Sequence, residues 1–293
     1  MGSYSLGGSA QQSISTQSGL CSPITPRFGS GKDGDVTISS NTTLSGNSIY
    51  EYNNLTINVG VTLTVPRTTI VLVKGTLTVN GLISGSGQGG IAGGAVNTGS
   101  STSVNGVASN GYSTGTDLCY WTGGGTGGTA SATSGGAASG GAVGGREGVA
   151  STLLPKVHIS LAGLMKCFGM GGGGGGASNG TGTTANIVGG AGGNGGGCVL
   201  IESRIIVINT GGAIRADGVD GQAGTRVSAT QYQAAGGGGG GGGGLVFLST
   251  TSYTNNGTVS ANAGLGGVAV FTSSGTATNG SNGVAGAVIV EVA

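Results

Sequence analysis

Catalysis and metal binding need side chains that ionise, attack or coordinate. This chain has few: ten Lys and Arg, nine Asp and Glu, and a single histidine, His158, among 293 residues. His158 has the chemistry of a base or ligand, but no Gly-x-Ser-x-Gly elbow points to it, so it reads as a loop or packed histidine. Asp217 and Asp220, in Ala216-Asp217-Gly218-Val219-Asp220-Gly221, superficially resemble a calcium-binding turn. Calcium takes about six to eight oxygens and the motif is not iterated, so these read as turn-forming aspartates. Cys21, Cys119, Cys167 and Cys198 are scattered, with no Cys-x-x-Cys pair. That argues against zinc and for small buried or idle thiols, a disulfide being open only in an oxidising medium. The glycine runs match the dinucleotide fingerprint trivially, without a βαβ unit or a following acid, and Gly31-Lys32 lacks the upstream glycine of a phosphate loop. The sequons at Asn41, Asn54, Asn179 and Asn256 matter only in a eukaryotic secretory pathway. The expectation is a protein that is not an enzyme and uses no cofactor or metal.

The binding chemistry that remains is aromatic. Tyr112, Tyr120 and Trp121 lie in one segment between glycine blocks, Phe168 ends a second, Tyr232 lies in a third and Phe271 in a fourth. Aromatic faces among Asn, Ser and Thr suit a glycan or a protein surface, and loops leaving one end of a scaffold would bring these six together. The alternative is that each ring packs against the base of its own loop.

Elements that could position them follow from composition. Glycine supplies 72 residues and charged residues 6%. Only four prolines occur and the glycines cluster unevenly, which excludes collagen. Net charge near +1, with no basic cluster, argues against nucleic acid as a partner. No stretch approaches the ~20 apolar residues of a membrane span, so no membrane insertion is expected. Met1 to Leu20 is polar and shows no secretory signal, which fits a chain kept in the cytoplasm, exported by another route or released by lysis.

Residues 1–33, with Pro23 and Pro26, read as an extended N-terminal arm. Residues 34–87 form a β-strand-rich base: Val36 and Ile38, then Ile57, Val59, Val61, Leu63 and Val65, alternate with polar residues or glycine, the period of half-buried strands. Residues 88–293 are a glycine-rich repeat region. Ile70-Val71-Leu72-Val73, Val199-Leu200-Ile201 and Val246-Phe247-Leu248 are each followed, ten residues after the first position, by Asn80, Asn209 and Asn256, and then by a second short strand. Ala287 to Val292 is a truncated fourth copy. Such units stack to bury a continuous core. Ala150 to Met170 fits a short helix or a hydrophobic loop equally well. The runs Gly171–Gly176 and Gly236–Gly244 could be flexible linkers. Because each leads into a repeated strand, an ordered extended helix with three residues per turn, packed on its own kind, is the better reading.

Gly169-Met170-Gly171 through Gly176, Gly189-Gly190-Ala191-Gly192-Gly193-Asn194-Gly195-Gly196-Gly197, and Gly236 through Gly244, alternating with variable segments, resemble the glycine-rich adhesins at the tips of long tail fibres of T-even-like bacteriophages. The resemblance covers about residues 85–293. It implies a sandwich of packed polyglycine II helices whose loops bind the host. Asn54-Leu55-Thr56-Ile57-Asn58 and Gly75-Thr76-Leu77-Thr78-Val79-Asn80 look more like β-solenoid segments of phage tail and cell-surface proteins.

The expected fold class is therefore all-β, a short-strand β-solenoid or sandwich with packed polyglycine II helices and projecting loops. The expected function is a virion fibre or tail-tip protein that binds the host surface, assembled in the host cytoplasm. Its expected partners are a host glycan or protein, further copies of itself in a homotrimer or other symmetric assembly, and other virion proteins through the arm. The rival readings are a purely structural subunit of an extracellular filament, capsid decoration or surface matrix, and an ice-binding protein, which would need a flat regular face.

Overall fold

The structure is a computed structural model that describes residues 27–66, 69–94, 97–98, 120–132, 168–169, 172, 177–179, 187–226, 233–272 and 275–293. The described residues contain strands and no helix, so none is long and apolar enough to cross a membrane. The candidate helix at Ala150 to Met170 lies outside them, apart from the strand residues 168–169.

The chain opens with β1 (Asp35–Ile38), β2 (Thr42–Thr43), β3 (Ile49–Tyr52), β4 (Asn54–Ile57), β5 (Thr62–Thr64), β6 (Ile70–Val79) and β7 (Leu82–Ser84). Glycine-rich segments then carry β8 (Asn97–Thr98), β9 (Tyr120–Thr122), β10 (Ala130–Ala132), β11 (Phe168–Gly169), β12 (Ala177–Asn179) and β13 (Ile187–Val188). The long strand β14 (Cys198–Ile208) follows, then the short strands β15 (Ala213–Arg215), β16 (Thr225–Arg226) and β17 (Gln233–Ala235). Next come β18 (Leu245–Thr250), β19 (Ser252–Asn255) and β20 (Thr258–Ser260), a second short pair β21 (Val270–Phe271) and β22 (Gly275–Ala277), and finally β23 (Ala287–Val292).

Two parallel sheets form one end of the molecule. The first runs β1-β4-β6-β14-β18-β23, with β3 also on β6 and β19 also on β14; the second runs β2-β5-β7-β15-β20. Each repeat gives one strand to each sheet, so its alternating apolar residues meet those of its neighbours across a shared interior. Leu55, Ile57, Leu63, Leu77, Ile83, Ile206, Ile208 and Ile214 are sealed there. Full burial of such a side chain stabilises by about 1.5–3 kcal/mol. The repeat seen in the sequence is the register of the sheets: Val199 pairs with Val246 and Val246 with Val288. The exception is the front of β6, where Ile70 pairs with Leu200 instead of Val199, because Lys74 and Gly75 stand opposite Arg204 alone and shift the register by one.

The turn between the two sheets is the repeated asparagine. Asn58, Asn80, Asn209 and Asn256 each donate a backbone N–H to the layer before, at Ile38, Ile57, Val79 and Ile208, and the Asn209 side chain donates to that of Asn80 at 2.7 Å. Glycine follows because the layers touch here: a Cβ on Gly81 would strike the carbonyls of Asn58 and Val61, and one on Gly257 that of Gly212.

From the second sheet the chain climbs away in extended legs and returns. Legs 85–94, 123–129, 216–224 and 261–269 climb, and legs 189–197, 236–244 and 278–286 descend into β14, β18 and β23. Their hydrogen bonds change partner with every residue and return to the same partner every third. The carbonyls of Gly236, Gly239 and Gly242 accept from Gly190, Gly193 and Gly196. The N–H groups of Gly237, Gly240 and Gly243 donate to Thr278, Ser281 and Val284, and those of Gly238, Gly241 and Gly244 to Gln222, Val219 and Ala216. Gly128 and Gly125 donate to Gly237 and Gly240, and Gly267 and Gly264 to Gly238 and Gly241. Leg 236–244 is thus ringed by other legs and wholly buried. A Cβ on Gly238 would enter the carbonyl of Ala191 and one on Gly239 that of Gly125. Only hydrogen fits there.

Outer legs lack neighbours on one side, and short polar side chains supply the missing acceptors. Asp217 Oδ1 accepts from the N–H of Asn262 at 2.6 Å and Asp220 Oδ1 from that of Leu265 at 2.7 Å. Asn282 and Asn279 serve Gly266 and Ala269 in the same way, and Asn194 serves Ala92.

Candidate binding surface at the distal end of the legs

The far end of the legs is a collar of short strands. β12 pairs with β17 and β17 with β21; β13 pairs with β16 and β8; β10 pairs with β22, all antiparallel. In sequence, β12 and β13 flank residues 180–186, β16 and β17 flank 227–232, and β21 and β22 flank 273–274, while β8 precedes 99–119 and β10 precedes 133–167. The legs climb here because every residue of a buried leg needs a backbone partner.

The six aromatic candidates divide. Phe271 belongs to the collar: it pairs with Ala234, is 51% exposed, and its carbonyl accepts from the Arg226 guanidinium at 3.2 Å. Tyr120, Trp121 and Phe168 have their backbones at the opposite end. Phe168 pairs with Tyr120, and the Gly123 that follows accepts from Val284, which itself accepts from Gly243 just above β18. A leg such as 236–244 separates these levels by up to ~30 Å. Tyr112 and Tyr232 lie outside the described residues, Tyr232 directly before the collar residue Gln233.

Sequence reasoning gave Gln233 no role. Its side chain is fully buried in the collar and neither amide atom has a hydrogen-bond partner among the described residues, while its backbone N–H donates to Thr272 Oγ1 at 3.1 Å. An orphaned buried amide costs about 1–3 kcal/mol. Nothing in the residue pattern signals it, because a lone Gln beside two alanines is ordinary. Leu265 and Val268, both 59% exposed, continue the line of Phe271 down the flank of leg 261–269, every third residue facing outward.

Charge gathers elsewhere, where residues 27–35 cross the first sheet. The Arg27 guanidinium donates to Ser249 Oγ at 2.8 Å, Ser30 Oγ donates to Glu51 Oε2 at 2.6 Å, and Lys32 lies 3.5 Å from Glu51. The Ser30 hydroxyl, with Lys32 adding, holds the Glu51 carboxyl below its usual range against the opposing effect of burial. The Asn53 and Asn54 amides do the same for Asp35. Burial pushes Glu202 up, with Arg27 opposing and Glu291 adding. Burial beside Tyr50 and Asp33 raises the Tyr52 phenol to about 12. These groups fasten residues 27–35 to the strand stack.

Among the described residues no three His, Cys, Asp or Glu side chains gather as a metal site. Asp217 is occupied with Asn262 and the Ser260 hydroxyl. Cys198 is a buried thiol in β14, and His158, Cys21, Cys119 and Cys167 lie outside the described residues. Among the described residues the collar can therefore offer the Phe271 ring and the Thr225 hydroxyl, with Arg226 as its charge. Comparison with protein-family models, curated proteins and solved structures gives no match.

Proposed function

We propose that the protein is a virion fibre or tail-tip protein that binds the host cell surface through the segments carried by the collar. One observation supports the reading: collar strands at one end of a scaffold held by backbone hydrogen bonds flank residues 180–186, 227–232 and 273–274, the arrangement in which binding loops vary while their support does not. In this reading the legs are polyglycine II helices, as their three-residue bonding period supports, and the strand stack is a β-solenoid. Its partner is a host glycan or protein met by aromatic faces and amides, with Phe271 and Tyr232 nearest the contact. The part of the N-terminal arm that precedes the segment fastened to the strand stack, residues 1–26, ties the protein to other virion components, and the copies assemble symmetrically.

Exchange of segments 180–186 and 227–232 for those of a differently targeted fibre, together with Phe271→Ala and Tyr232→Ala, tests the reading by adsorption to host cells. Adsorption should fall at least about tenfold while assembly is kept. Unchanged adsorption would sink it.

A further inference from the structure

The columns of side chains that run through the strand stack are sealed in the middle and open at both ends. Val36, Leu55, Leu77, Ile206 and Tyr253 form one column, each paired with the next. Leu55, Leu77 and Ile206 are wholly buried, whereas Val36 and Tyr253 are half-buried. The column Thr42, Leu63, Ile83, Ile214, Val259 behaves alike, as does Tyr50, Val71, Ile201, Leu248, Val290. Among the described residues no strand pairs with the outer edges of β19 or β20 at one end, or of β1 or β2 at the other. Parallel edges with apolar columns left open are templates for a further strand, and stacked repeats normally close them with a polar cap.

The two ends are steps of opposite sense. At one end β1 covers the half-layer of β4 and stops short of the half-layer of β3, where Ile49 is 55% exposed. At the other, β23 covers β18 and leaves β19 bare. A strand in the place of β1 is what β19 lacks, in the same parallel register, and the Val36 it carries would close the column that Tyr253 leaves open. Charge agrees. Glu51, Leu72, Glu202, Ser249 and Glu291 occupy one column; at its first end Lys32 stands 60% exposed beside Glu51, and at its last Glu291 is exposed.

We infer that copies of this chain associate head to tail, β1, β2 and β3 of one copy adding to β19, β20 and β23 of the next, with Lys32 of the first against Glu291 of the second. Such an interface is heterologous: each copy uses two different surfaces and leaves one of each free, so the product is a filament instead of a closed ring. Strand spacing of about 4.8 Å is preserved across the joint, and each joint seals three columns. The inference rests on the stack alone and is independent of the collar, since host adsorption and end-to-end assembly are read by separate measurements.

Sedimentation of the full chain over a concentration series tests it, with Val36→Glu blocking one end and Tyr253→Glu the other. Wild type should grow with concentration beyond any single small oligomer. Each variant alone should need at least about tenfold more protein for half association, a loss of about 1.4 kcal/mol. An equal mixture of the two should give dimers and no more, because each retains the end that the other lacks. Lys32→Glu and Glu291→Lys, both on the surface, guard against misfolding in the first pair: each should weaken assembly and the double reversal restore it. A wild type that stays monomeric overturns the inference. So does a closed trimer that all four substitutions leave intact, a mixture that fails to dimerise, or growth seen only after a different fibre protein is added.

Discussion

Leu77 in the strand stack and Gly241 in the legs are both sealed from water, yet what surrounds them differs in kind. Around Leu77 stand other side chains, Leu55 and Ile206 in its own column, and the layers are held apart by the volume they fill. Around Gly241 stands backbone. Its N–H donates to Val219 at 2.9 Å, its carbonyl accepts from Gly264 at 2.8 Å, and the space where a Cβ would go is taken by the carbonyl of Asn194. One region is stabilised chiefly by apolar burial and the other by close approach of hydrogen-bonded chains, each bond contributing about 0.5–1.5 kcal/mol net. Glycine gives up more freedom on ordering than any other residue, so the second solution works only where nearly every backbone group finds a partner.

The sharpest way to break this contrast is to remove side-chain volume at one site and add it at the other. Leu77→Ala removes volume and should cost about 2–5 kcal/mol. Gly241→Ala adds a single methyl and should cost about 3 kcal/mol or more, since backbone on both sides must shift. Urea unfolding measures both. A Gly241→Ala protein within ~1 kcal/mol of wild type would mean that the legs have slack and that the contrast is wrong.

A smaller effect is expected at the rim of the legs. Asp220→Ala leaves the Leu265 N–H without its acceptor and should cost about 1 kcal/mol, with faster amide exchange at Leu265 and little change at Leu77. Asp220→Asn keeps an oxygen in place and should lose less. Equal exchange at Leu265 in all three proteins would show that water replaces the carboxylate at no cost.

The smallest effect is acid sensitivity where residues 27–35 meet the stack. Glu51 and Asp35 are held below their ordinary values, so the stability they contribute is complete above those values and fades as pH falls through the lowered ones. Glu202 is raised, and its contribution runs the other way: it favours the fold in acid and is lost as pH climbs through its raised value. Amide protection at Asp33 and Asn53, which bond to Glu51 and Gly34, measured against an unstructured amide at the same pH, should therefore fall below about pH 4. Glu51→Gln should flatten that response. A flat wild-type profile would show that these carboxylates do not hold the segment.

Strand periodicity was legible because side chains of a half-buried strand alternate: Ile57, Val61, Leu63 and Val65 lie inside as expected, but Val59 of the same alternation is 80% exposed, because it stands with the left-handed Gly60 in the turn between β4 and β5. The Asn-Gly turns were legible for a similar reason: each layer repeats the same close approach. The slip at Lys74 and Gly75 was not, since a one-residue excess inside a polar stretch leaves the hydrophobic pattern on both sides intact. Nor was the work of Asp217 and Asp220, whose partners Asn262 and Leu265 lie 45 residues away and carry no mark of it. The aromatic set shows the limit most plainly. In sequence Trp121 and Phe271 stand in the same relation to glycine blocks, but a leg has two ends, and only the direction in which the chain travels places Phe271 at the collar and Trp121 beside the stack.

By itself the sequence determined the local conformations: alternation makes strands, Asn-Gly makes turns, and runs without side chains leave only backbone to pack. The tertiary structure decided which legs neighbour one another and which end each segment reaches. Backbone hydrogen bonding is the same for every glycine, so one leg is chemically indistinguishable from another. Partners are chosen by the order in which the strand stack launches the legs and takes them back.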